Sequence, residues 1–249
     1  MEVEICCGDF RSVIAAKKGG AKRIELCSAL SEGGITPSIS LIKAAVNTGM
    51  HKINVLIRPR TGDFLYSEDE ISIMLKDVES AVKAGATGIV TGVLDNYGNV
   101  DYKNTLKLIT AAKEINPETN ITFHRAFDLS IDAFESLEKI ISLECDCLLT
   151  SGMSSSAYDG KETLKNIVER AEKRICIMAG GGINPDNALE IVNFTHVDAI
   201  HASARSLIHS GMNFQREKLS MGLPENNEYE WLSTDLYIVK DLIKTVSNL

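Results

Sequence analysis

The chain has 249 residues, 34 acidic against 26 basic side chains and a formal net charge of −8. An acidic chain whose Lys and Arg are dispersed is a poor match for a nucleic-acid backbone or an anionic membrane surface. No apolar run approaches the ~20 residues of a membrane span, no signal-peptide pattern opens the chain, and its six cysteines are too irregularly spaced for a disulfide framework. A cytoplasmic protein with reduced thiols is expected.

From the N-terminus, strand and helix patterns alternate without a break. Strands are predicted over 2–7, 22–27, 52–58, 88–91, 120–124, 145–150, 174–179 and 197–201. Helical periodicity covers 10–18, 38–47, 67–84, 102–114, 131–143, 161–173, 185–193 and 234–246. Pro37 and Pro185 mark helix starts, after Thr36 and Asn184 as caps. Gly19-Gly20, Gly49 and Gly85 mark helix ends. Only 203–233 breaks the rhythm, as a long irregular segment holding Arg205, His209, Pro224 and an acidic stretch from Glu225 to Glu230; it reads as a lid or an exposed insertion.

Short, Val/Ile-rich strands joined by helices call for a parallel sheet. The first and last strands are as apolar as the middle ones, and no Gly-x-Gly-x-x-Gly follows the first. An open doubly wound sheet is therefore disfavoured, and a single-domain (β/α)8 TIM barrel over 1–249 is predicted.

In such a barrel, chemistry sits at the carboxyl ends of the strands. Alternation places Glu4 with Cys6 on one face of the first strand, and Glu25 with Cys27 on one face of the second. Because the second pair repeats the spacing of the first, the two acids and the two thiols are expected at matching heights on neighbouring strands. Cys7 should face the helix layer. Cys145 and Cys147 begin the sixth strand on the stability face, Cys176 lies mid-strand, and all three read as packing residues. Cys6 and Cys27 admit two readings, buried small hydrophobes or two soft thiolates for Cu(I), with Met178 or His201 as a further ligand.

Arg58 ends the third strand and Arg60 follows two residues later, and their guanidinium forks suit a carboxylate or phosphate. Gly180, Gly181 and Gly182 after the seventh strand, with Ser203 after the eighth, occupy loops where barrels commonly hold an anion. His124 closes the fifth strand. The bland alternative is a polar plug in which Glu4 and Glu25 pair with Arg58 or Arg23.

Several stretches in this order resemble the CutC family of copper homeostasis proteins. They are Glu4-Ile-Cys6, Gly20-Ala-Lys-Arg-Ile-Glu-Leu-Cys-Ser28, Gly33-Gly-Ile-Thr-Pro-Ser38, Ile57-Arg-Pro-Arg-Thr-Gly-Asp-Phe64, Thr122-Phe-His-Arg-Ala-Phe-Asp128, Leu149-Thr-Ser-Gly152 and Ala179-Gly-Gly-Gly182. The likeness spans about 2 to 205. It implies a (β/α)8 barrel, a cytoplasmic location and copper handling, with Cu(I) ligands falling on Cys6 and Cys27.

Two functions follow. One is a Cu(I)-binding homeostasis protein using Cys6 and Cys27. The other is an enzyme acting on a small anionic metabolite, with Glu4 or Glu25 and His124 as acid–base groups and Arg58, Arg60 and the Gly180–Gly182 loop as anion clamps. The partner is a copper ion or a small anion; the chain could also form a homo-oligomer.

Overall fold

The computed structural model describes residues 1–216, 219, 221 and 227–247. Eight parallel strands close into a barrel in chain order. They are β1 (Glu2–Cys7), β2 (Arg23–Leu26), β3 (Lys52–Leu56), β4 (Gly88–Thr91), β5 (Asn120–Phe123), β6 (Cys147–Thr150), β7 (Cys176–Gly180) and β8 (Ala199–Ala202). Helices α1 (Phe10–Gly19), α2 (Ile39–Asn47), α3 (Glu68–Lys83), α4 (Tyr102–Ile115), α5 (Ala133–Ser142), α6 (Lys161–Ala171) and α7 (Ala188–Thr195) alternate with them. This is the predicted (β/α)8 barrel.

Local chemistry sets the helix ends. The Asp9 side chain accepts from the backbone N–H of Ser12 at the start of α1, and Gly20 closes that helix at φ 97°. Ser67 and Glu70 form a reciprocal capping box on α3. Two starts differ from expectation. Ser38, not Thr36, caps α2. The seventh helix begins at Ala188, not at Pro185, because the Asn184 side-chain oxygen accepts from the N–H groups of Asp186 and Asn187 and holds that stretch as a turn.

The segment expected to be irregular over 203–233 holds a two-stranded antiparallel ribbon, β9 (Arg205–His209) with β10 (Glu230–Thr234), followed by α8 (Leu236–Val246). The ribbon is tied to the barrel rim, where Thr234 Oγ1 donates to the carbonyl oxygens of Cys6 and Ser203 at 3.4 and 3.1 Å. Pro224 and Glu225, part of the expected lid and acidic stretch, lie outside the described residues.

The main core lies between the strands and the helices, where Ile5, Cys7, Ile24 and Leu26 pack. Inside the barrel, apolar side chains form two smaller clusters. Cys6, Cys27, Leu56 and Val90 sit toward the carboxyl end; Cys147, Leu149, Met178 and Ala199 form the other. A ladder of buried charge crosses the interior as well.

One expectation about register is corrected. β1 and β2 are staggered, so Glu4 pairs with Arg23 and Cys6 pairs with Glu25. The two acids and the two thiols are therefore not level. Closing a sheet into a barrel tilts its strands and imposes this shear.

Candidate functional site

Glu4 is fully buried on the inner face of β1. Its Oε2 accepts from Arg23 Nε at 2.6 Å and from Asn54 Nδ2 at 2.8 Å. Its Oε1 lies 2.9 Å from Nδ1 of His201, whose Nε2 lies 3.3 Å from Glu25 Oε2. The result is a chain from Arg23 through Glu4 and His201 to Glu25, which opens on the barrel mouth. Burying such groups costs several kcal/mol each unless they are paired, and here each charge has a partner.

The same pairing sets the protonation states. Burial alone would raise Glu4, but the hydrogen bond with His201 and the charge of Arg23 bring it down to about 2. Burial works against an imidazolium at His201, yet the hydrogen bond to Glu4 and the nearby Glu25 raise its pKa. Glu25 is pushed up, first by burial, with His201 pulling the other way. Glu4 is thus the fixed anion, and Glu25 is the acid nearest the mouth whose proton is more strongly held.

Above this ladder is a cavity of about 280 Å³ lined by Cys6, Glu25, Cys27, Arg58, His124 and His201. Arg125, Gly181, Gly182, Ser203 and Arg205 complete its polar wall, with Leu30, Leu56 and Phe64 on the apolar side. The sulfurs of Cys6 and Cys27 lie 3.7 Å apart despite the stagger, and both thiols are free. The pairing with Cys27 and then burial hold the Cys6 thiol well above its ordinary pKa.

Arg58 is 6% exposed, and among the described residues no carboxylate pairs with it. Its two terminal nitrogens donate to the carbonyls of Gly34 at 2.8 Å, Glu32 at 3.3 Å and Gly62 at 2.7 Å, while its Nε has no partner. The guanidinium lies over the Phe64 ring. His124 is similar. Its Nδ1 accepts from the backbone of Ala126 at 3.2 Å, which places the proton of the neutral ring on Nε2, and that nitrogen has no partner. Burial, then Arg58, lowers the His124 pKa to about 3. Two buried donors at one cavity wall therefore lack an acceptor.

The other predicted residues divide. Gly181 and Gly182 (φ 101° and 78°) and Ser203 line the cavity. Gly180 ends β7 outside it, packed against Leu149 and His201. Arg60 is not brought to the mouth: Glu70 holds its Nε at 2.5 Å and Asp63 holds Nη2 at 3.0 Å. The capping box on α3 fixes Glu70 in that position. Met178 lies deep in the barrel with its sulfur 3.4 Å from Arg23 Nη2, away from the Cys6–Cys27 pair. Cys147 and Cys176, read as packing residues, are directly opposite on β6 and β7 with sulfurs 3.5 Å apart.

Sequence reasoning did not assign Arg125, Asn54 or Phe64. Arg125 donates to Asp128 at 2.7 Å and to Ser151 Oγ at 2.8 Å from the cavity rim. Its position two residues past β5 was the available signal. Asn54 could have been found by alternation along β3.

A closed parallel barrel with a cavity at the carboxyl ends of its strands, lined by charged, thiol and apolar side chains, defines the class: a (β/α)8 barrel protein. The chain belongs to the CutC family, whose model matches residues 1–206. A Bacteroides fragilis CutC family protein is 43% identical over 98% of this chain and 97% of its own length. One from Histophilus somni is 41% identical over 94% and 95%. A crystal structure of a Streptococcus agalactiae CutC, named for copper homeostasis, is 30% identical with a TM-score of 0.76, covering 82% of this chain and 98% of its own. No helix among the described residues is long and apolar enough to cross a membrane.

Proposed function

We propose that this protein handles copper in the cytoplasm, holding one Cu(I) between Cys6 and Cys27 at the barrel mouth. The observation that carries this reading is the pair of free thiols 3.7 Å apart at the cavity. With metal–sulfur bonds of ~2.3 Å, two sulfurs bound to one ion stand no more than about 4.6 Å apart, so a pair at 3.7 Å is within reach of a single ion. Soft thiolates select a soft ion, and the Leu56 and Val90 wall gives it a dry seat. The copper homeostasis named for the Streptococcus agalactiae protein supports the same reading. Competition with a Cu(I) chelator tests it: the reduced wild type takes up about one ion per chain, and Cys6→Ser or Cys27→Ser each abolishes tight binding. Equal affinity in the wild type and the double variant contradicts it.

A second reading is favoured by a separate observation, the unpartnered Nε of Arg58 and Nε2 of His124. A phosphate or carboxylate at that wall accepts both protons and balances an arginine that has no carboxylate partner among the described residues. With Glu25 and His201 as acid–base groups nearby, the cavity then acts on a small anionic metabolite. Arg58→Ala weakens phosphate binding by roughly 1.5–3 kcal/mol, the range for a charge-assisted hydrogen bond. Calorimetry in which phosphate fails to bind the wild type removes this reading.

A further inference from the structure

Cys6 has neighbours besides Cys27. Its sulfur, a carboxylate oxygen of Glu25 and a ring nitrogen of His201 all lie within 4.8 Å of one another. The three side chains come from β1, β2 and β8, which are adjacent in the closed sheet. All three line the cavity, so an ion held among them keeps one side open to it.

From these donors we infer a second metal site at the mouth, a three-ligand seat for a borderline divalent cation of the Zn²⁺ type, formed by Cys6, Glu25 and His201. Two geometric facts argue for it independently. The first is spacing. Nε2 of His201 and Oε2 of Glu25 are 3.3 Å apart. Bonds of ~2.0–2.1 Å at a tetrahedral angle place two such donors about 3.3 Å apart.

The second is the support behind the histidine. Nδ1 of His201 is held at 2.9 Å by Glu4, and Glu4 is fixed by Arg23 and Asn54. A ligating histidine characteristically gives its other ring N–H to a carboxylate, which sets the tautomer and aims the free nitrogen at the metal. Here that carboxylate is buried, charged and anchored on two sides before any ion arrives.

The donor set separates this seat from the copper pair. Thiolate, imidazole and carboxylate together suit Zn²⁺ or Co²⁺, whereas two thiolates without a hard donor suit Cu(I). Three protein ligands with an open fourth position are the pattern of a catalytic rather than a structural ion. The cavity that meets the open side is also lined by Arg58 and His124. Because Cys6 serves both seats, a chain holds one ion or the other.

Anaerobic titration of the reduced protein with Co²⁺ tests the inference. Expected are the visible bands of tetrahedral Co²⁺ with a thiolate charge-transfer band, saturating at one ion per chain and bleached by Zn²⁺. Cys6→Ser abolishes the charge-transfer band, and His201→Ala lowers affinity at least tenfold. Cys27→Ser, which removes the proposed copper pair, leaves Co²⁺ affinity within about threefold. Glu4→Gln keeps all three ligands and weakens binding 10- to 100-fold, the effect expected of a lost supporting carboxylate. Circular dichroism of each variant confirms the fold. Wild-type protein without the thiolate band overturns the inference, a result that needs no variant to fold. So does a loss in Cys27→Ser as large as in Cys6→Ser. Cu(I) binding that survives while Co²⁺ fails overturns this site and leaves the copper pair standing.

Discussion

Burial of an uncharged imidazole makes the fold sensitive to acid. His124 is 5% exposed and its pKa in the folded chain is about 3, against an ordinary 6.5. Between those values the unfolded chain binds a proton that the folded chain refuses. The contribution to stability is therefore full above pH 6.5 and is lost as pH falls toward 3. Glu4 adds to the loss lower down: held at about 2 against an ordinary 4.5, its contribution is full above 4.5 and disappears as pH falls through 2. Urea unfolding followed from pH 6.5 to 4.5 is expected to show a fall of about 2–3 kcal/mol from His124 alone. His124→Gln, which cannot titrate, is expected to flatten that part of the curve and leave the Glu4 portion below it. A His124→Gln curve that falls between pH 6.5 and 4.5 as steeply as the wild type contradicts the account of His124.

At the scale of elements, the alternation of strand and helix was legible because it is written in local periodicity. So was the inward face of each strand: Glu4, Cys6, Glu25, Arg58 and His124 reach the interior or the mouth as alternation required. Register was not legible, because the stagger of β1 on β2 belongs to the closed sheet and to no single strand. That stagger sets Glu25 beside Cys6, and the separate register of β1 on β8 brings His201 level with Glu4. The triad of Cys6, Glu25 and His201 therefore exists only once the barrel closes. Arg60 misled for a different reason. Its place in the chain matched a clamp, but Glu70, ten residues further on and fixed by Ser67, claimed it. The ribbon of β9 and β10 was missed because its two strands are far apart in sequence and pair only with each other.

For the molecule as a whole, the distribution of charge is informative. The chain is acidic overall, yet Glu25 is the only carboxylate among the described residues lining the barrel-mouth cavity, which include Arg58, Arg125 and Arg205. The mouth thus combines sulfur and carboxylate from β1 and β2 with cationic donors from other strand ends. A metal ion suits the first set of groups and an anion the second, around one cavity of about 280 Å³. The central claim is that the Cys6–Cys27 pair takes Cu(I). Copper K-edge X-ray absorption of protein loaded with one equivalent of Cu(I) tests it most directly. The account predicts a first shell of two sulfurs in the wild type, absent from Cys27→Ser, which no longer holds the ion tightly. A first shell dominated by nitrogen or oxygen, or one unchanged by Cys27→Ser, would contradict it.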